Sequence, residues 1–217
     1  MKPTELLTNR LTSDVVPLLT GQYGFRFARS SLKVSRKTGD FEQSFQFSIS
    51  KYSADDLCIF WTMWSVSSRK YSRWHEATWG EKPANDSVAG CAEWNIPNWT
   101  RSTHDDHHLT LTNTSADNAV IAQLLDNIEK CGIPYVDRFS AWEPAAEQLV
   151  SKGWMYDRAA DFYLIAGNQP RANAILLEGI KKVEAGGSKS LVGELTTLQD
   201  RLDHLAQDQP PRSSNRK

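Results

Sequence analysis

Residues 41–49, FEQSFQFSI, decide the fold: Phe41, Phe45, Phe47 and Ile49 share one face of an extended chain, and Glu42, Ser44, Gln46 and Ser48 share the other. Side chains alternate with period two along a strand, so this pattern predicts a half-buried strand of an antiparallel sheet. The turn signal Lys37-Thr38-Gly39-Asp40 precedes it, and Phe25, Phe27, Leu32 and Val34 extend the pairing upstream. After a second turn at Ser53-Ala54-Asp55-Asp56, residues 57–66 are apolar on both faces, with Trp61 and Trp64 on opposite sides. Such a segment is expected at the centre of the sheet, covered on both sides. Residues 25–66 therefore read as a meander.

Upstream, Leu6, Leu7, Leu11, Val15, Leu18 and Leu19 fall near helical spacing and predict a helix over residues 4–20, ended or kinked by Pro17. Downstream, residues 67–108 are a short helix or a long excursion, with a strand over Cys91–Ile96 and another over His108–Thr112. The character then turns helical. Ser115 or Asp117 caps a helix that Cys131-Gly132-Ile133-Pro134 closes, and further helices are expected over residues 136–149, from 157, over 171–183 and over 191–205. The hairpin at 157–183 is similar to one tetratricopeptide unit, but stacked repeats need three or more. The expected fold is α+β: an antiparallel sheet of about five strands with a leading helix, then a C-terminal helical bundle. The boundaries are 1–113 for the sheet region, 114–206 for helices packed on it, and 207–217 for a disordered tail without an apolar residue.

Among 217 residues the formal net charge is −1, which argues against a general nucleic-acid or membrane-surface binder. The N-terminus has no apolar core of signal-peptide type, and no stretch approaches the ~20 apolar residues of a membrane span, so a cytoplasmic protein is expected. Cys58, Cys91 and Cys131 are far apart and form no CxxC pair, which points to free thiols.

GFRFARSSLKVSRKTGDFEQSFQFSISK, residues 24–51, resembles the opening of the bacterial domain-of-unknown-function 4304 family: a GF[RK] start, a basic segment, then a strand of QxFxFQ character. CGIPYVDRFSAWEPAAEQL, residues 131–149, and AGNQPRANAILLEGI, residues 166–180, are similar to that family's helix link and Gly-turn hairpin. The resemblance covers most of residues 5–183 and supplies no catalytic residue. It implies an immunity-type protein.

No GxSxG, GxGxxG or GxxxxGK[ST] occurs, so no catalytic residue and no cofactor are expected. His104-Asp105-Asp106-His107-His108 holds metal-ligating and acid–base side chains, but neighbouring residues of a strand point to opposite sides, and no framed spacing such as HExxH is present. The segment reads as a polar turn rather than a metal site; the alternative is a small metal-dependent hydrolase. Arg26, Arg29, Lys33, Arg36 and Lys37 form a basic run beside Phe25 and Phe27, which reads as a solvated hairpin, with an RNA-associated surface as the other alternative. Eight Trp residues are many for this length. Trp74, Trp79 and Trp99, set among polar residues, are expected to be partner contacts, with Asp105 and Asp106 adding charge complementarity to a basic toxin. The expected function is therefore stoichiometric protein binding, an immunity protein occluding a cognate toxin and monomeric when free.

Overall fold

The computed structural model describes residues 1–100, 108–151, 153, 155–186 and 192–207. The expected tail lies almost wholly outside the described residues. The chain divides into two units: residues 1–72 with 84–140, and residues 73–83 with 141–217. The division falls at Ala141 rather than at residue 114, because the helices before it pack with the sheet.

The first unit opens with α1 (Pro3–Arg10) and α2 (Val16–Tyr23), joined through a π-helical turn at Leu11–Val15. Pro17 does not end the helix. A proline has no N–H and its ring crowds the carbonyl four residues back. Here the Val16 N–H reaches five residues back to the Leu11 carbonyl, which widens the helix just before the proline. The same device recurs after α4 (Asp117–Asn127). A π-turn at Ile128–Gly132, with the Ile133 N–H on the Ile128 carbonyl, carries the chain into α5 (Ile133–Asp137) and past Pro134. The Cys131–Pro134 segment, expected as a stop, is thus continuous helix.

Among the described residues, six antiparallel strands run between these helices: β1 (Arg26–Ala28), β2 (Lys33–Thr38), β3 (Phe41–Ile49), β4 (Cys58–Ser67), β5 (Ser87–Ala92) and β6 (Leu109–Leu111). They pair in the order β1-β2-β3-β4, and β4 then pairs with β5 over Met63–Ser67 and with β6 over Cys58–Phe60. The protein is α+β, as the alternation in β3 predicts. β4 is central but not covered on both sides. Cys58, Phe60, Thr62, Trp64 and Val66 are buried, whereas Ile59, Trp61 and Met63 on the other face are half-buried. The strand expected at Cys91–Ile96 lies earlier, at Ser87–Ala92, and the short helix, one of the two alternatives for the stretch before it, is α3 (Arg69–Trp79).

The core of this unit is the Phe45–Trp64 face of the sheet. Trp64 meets Tyr135 edge-on at 4.7 Å, and Phe25 lies 5.8 Å from Phe45. Gln43, buried on that face, donates its amide to the carbonyls of Val136 at 2.7 Å and Phe139 at 3.2 Å, satisfying a polar group that burial would otherwise penalise. Gly132 lets the helix approach: a Cβ there would lie 3.1 Å from the Phe45 ring and 3.2 Å from Trp99. Gly132→Val is therefore expected to destabilise by about 1–3 kcal/mol through overpacking, read as a lower urea midpoint at unchanged slope.

The second unit holds α6 (Trp142–Val150), α7 (Tyr156–Ile165), α8 (Gln169–Gly186) and α9 (Val192–Gln207), each packed against the next. Gly179 on α8 sits against Tyr156, where a Cβ would come within 2.7 Å. Ala159 and Ala160 on α7 and Ala172 on α8 are buried. No described helix is long and apolar enough to cross a membrane.

Candidate functional site

The Trp residues expected as anchors turn inward. Trp99 is 6% exposed, so it is not the free anchor that its polar neighbours suggest. The reason is local: the Thr100 N–H donates to the Asn127 side chain at 2.9 Å, and Asn127 donates back to the Thr100 carbonyl at 2.8 Å. These two bonds fasten residues 99–100 to α4 and press the indole into the core.

Trp79 is half-buried and fully engaged within the second unit. Its indole N–H donates to Asp161 at 3.1 Å, the Arg201 guanidinium lies 5.1 Å over its ring, and His204 and Trp74 meet it at 5.1 and 6.1 Å. Trp74 is half-buried. Arg201, itself buried, pairs with Asp161 at 3.2 Å and with Asp157 at 3.5 Å. This cluster brings the indoles of α3 together with ionisable side chains of α7 and α9, but an Arg and an indole N–H occupy the carboxylates. It is a helix clamp.

Asp105 and Asp106, with His104 and His107, lie outside the described residues. His108 is half-buried, with its ring 5.0 Å from Trp61. Among the described residues no group of three or more His, Cys, Asp or Glu side chains is placed to hold a metal ion. Burial pushes the Cys58 thiol up to about 12 and also raises Cys131, so neither is a ready thiolate nucleophile.

What the strands do present is charge. Arg26, Lys33, Ser35 and Lys37 share the sheet face opposite the core, because Arg26 pairs with Ser35, and Lys33 and Lys37 lie two residues to either side of Ser35. Phe27 pairs with buried Val34 on the other face, and Phe25 is buried. Arg36 also points to the core side. It donates to Gln43 at 2.9 Å and to the Tyr23 carbonyl at 3.1 Å, lies 4.6 Å over the Phe25 ring, and pairs with Asp137. Two adjoining clefts of about 510 and 530 Å³ open here, sharing Lys37 and Glu42. Three carboxylates at the clefts are already matched: Glu42 by Lys33 at 3.8 Å, Asp40 by Lys70 at 2.8 Å and Asp86 by Arg69 at 3.7 Å. Among the described residues the exposed Arg26, Arg29 and Lys37 have no ion-pair partner.

Glu93 is the ionisable group that sequence reasoning missed. It is 3% exposed, and its carboxylate accepts the Thr62 N–H. Thr62 sits where β4 passes from pairing with β5 to pairing with β6, so Glu93 fills a gap in the ladder. Burial pushes its carboxyl up to about 7, against the hydrogen bonds from Thr62 that pull it down.

Comparison with protein families, with curated proteins and with solved structures finds no match to this chain.

Proposed function

We propose that this protein is a non-catalytic binding module that occludes a protein partner stoichiometrically, in the concrete form of an immunity protein that neutralises a bacterial toxin in the cytoplasm. The observation that carries this reading is the charged sheet face. Its cations and carboxylates stand on paired strands whose register fixes the spacing of their Cβ atoms, so little backbone freedom is lost on docking. The clefts are lined mainly by charged side chains rather than by the apolar walls of a small-molecule pocket. Shallow, charged relief of this kind suits the polar rim of a protein interface and gives fast, oriented association. The resemblance to the domain-of-unknown-function 4304 family pulls the same way.

The RNA-associated alternative needs aromatic rings interleaved with the cations. Phe25 and Phe27 belong to the core side, away from Arg26, Lys33 and Lys37, so the cations here stand without stacking rings. The hydrolase alternative rests on the His104–His108 segment, of which only His108 is described.

The test is co-expression with the products of neighbouring genes. One of them is expected to arrest growth alone, to lose that effect beside this protein, and to co-purify with it in a one-to-one complex whose affinity falls as salt rises from about 0.05 to about 0.5 M. Rescue by sub-stoichiometric protein would mark a catalyst instead, and absence of any rescued partner would sink the immunity reading.

A further inference from the structure

We propose that Arg26, Ser35 and Lys37 form the contact that receives an acidic segment of the partner, an inference resting on the reading of the protein as a binding module. The cations at the clefts fall into two classes. Lys33, Arg36, Arg69 and Lys70 each have a carboxylate within reach, so they contribute little net field. Arg26 and Lys37 have none among the described residues and are exposed, and Arg29 adds a third such cation in the turn between β1 and β2. The acids nearby are thus internally matched, and the surplus on this face is positive.

Geometry sharpens the partner's chemistry. Arg26 stands directly across from Ser35, and Lys37 lies diagonally from Arg26 on the same face. Directly opposed Cβ atoms in an antiparallel pair are about 5 Å apart and diagonal neighbours about 7–8 Å. Carboxylates on alternate residues of an extended segment are spaced by about 6.8 Å, which matches that diagonal. Arg26 offers a planar fork for one carboxylate, and Lys37 a compact charge for the next. The Ser35 hydroxyl makes no side-chain hydrogen bond among the described residues and supplies a donor between them. A continuous phosphate backbone fits less well. The rings that would stack its bases, Phe25 and Phe27, belong to the core side, whereas a protein segment with two spaced acids needs only the cations.

The experiment uses the full chain, a short labelled peptide of alternating Glu and Ser, and a single-stranded RNA of the same length, read by fluorescence anisotropy at low and high salt. Arg26→Glu with Lys37→Glu tests the site, and Lys181→Glu, an exposed position in the second unit, is the control. Unchanged circular dichroism and Tm confirm that each variant is folded. The expected result is salt-sensitive binding of the peptide, weakened at least tenfold by the double reversal and unaltered by the control, in line with the loss of about 1.4 kcal/mol that tenfold represents. No binding at low salt, equal weakening by the control, or tighter binding of the RNA overturns the proposal. If a rescued partner is held equally well by the double-reversal variant, this inference falls and the binding reading stands. If the peptide binds here but no gene product is neutralised, the immunity reading falls and the acidic-segment site stands.

Discussion

Replacing Arg201 by Met is expected to cost the protein about 3–5 kcal/mol, the usual penalty for removing one partner of a buried ion pair. Asp161 is fully buried on α7, and Arg201 on α9 supplies a cation at 3.2 Å. Met keeps most of the stem's packing and removes the guanidinium, with its pairs to Asp161 and Asp157 and its place over the Trp79 ring, so the loss measures the polar part of the clamp. Without that cation the buried carboxylate is driven toward its neutral form, because desolvation penalises the ion. The deficit should therefore shrink as pH falls, since protonation then relieves the uncompensated charge. Pairing Arg201→Met with Asp161→Leu should recover much of the stability, as apolar replacements of buried pairs commonly do. Urea denaturation of the four proteins of this cycle at neutral and acidic pH decides it. A single-variant loss below about 1 kcal/mol, independent of pH, would show that the clamp acts only as packing.

The sheet was legible in the sequence because one signal dominates it. In β3 the Phe41–Phe45–Phe47 face and the polar face between are separated by period two alone, and nothing long-range is needed to read that. The α7–α8 hairpin was legible for the same kind of reason, with Gly167 marking its turn, whereas the helix expected over 136–149 is broken at Phe139–Ala141, between α5 and α6. Pro134 was misread as a stop, and Pro17 does not end its helix, because the rule for proline assumes an α-helical hydrogen-bond pattern. A single π-turn upstream removes the clash, and no residue type announces that turn.

The candidate site was legible only in part. The basic run at 26–37 is plain in the sequence, but its faces are not: Phe27 lies opposite Lys33 and Lys37 only because it pairs with Val34 across the β1–β2 turn. Which cations are surplus was not legible, because Asp40, Glu42, Asp86 and Asp137 reach their partners through strand pairing and chain folding. Trp99 was misjudged for a related reason: polar neighbours suggest exposure, but Thr100 and Asn127 spend their polar groups on each other and carry the indole inward. Glu93 left no local trace at all. Its burial depends on β4 changing partners, a property of the assembled sheet.

Glu93→Gln is expected to change how stability depends on pH by about 3 kcal/mol. The carboxyl titrates near 4.5 when unfolded, and burial pushes it up to about 7 in the folded sheet. A raised carboxyl means that the folded state holds the proton more tightly than the unfolded chain. Between these two values the native state binds more protons, so stability falls as pH rises from 4.5 to about 7 and levels off above. Below 4.5 both states are protonated and the group contributes no slope. The distance between the two values corresponds to about 3 kcal/mol. Gln keeps a carbonyl oxygen for the Thr62 N–H and cannot ionise. Whatever constant offset the amide introduces, the stability difference between variant and wild type should move in the variant's favour across that window by the same amount. Thermal or urea unfolding at pH 4, 5, 6, 7 and 8 measures it, with other titrating groups cancelling in the difference. A difference that stays flat with pH would mean that water or a neighbouring donor already stabilises the Glu93 anion, and that the gap between β5 and β6 is bridged by a charged carboxylate rather than by a protonated one.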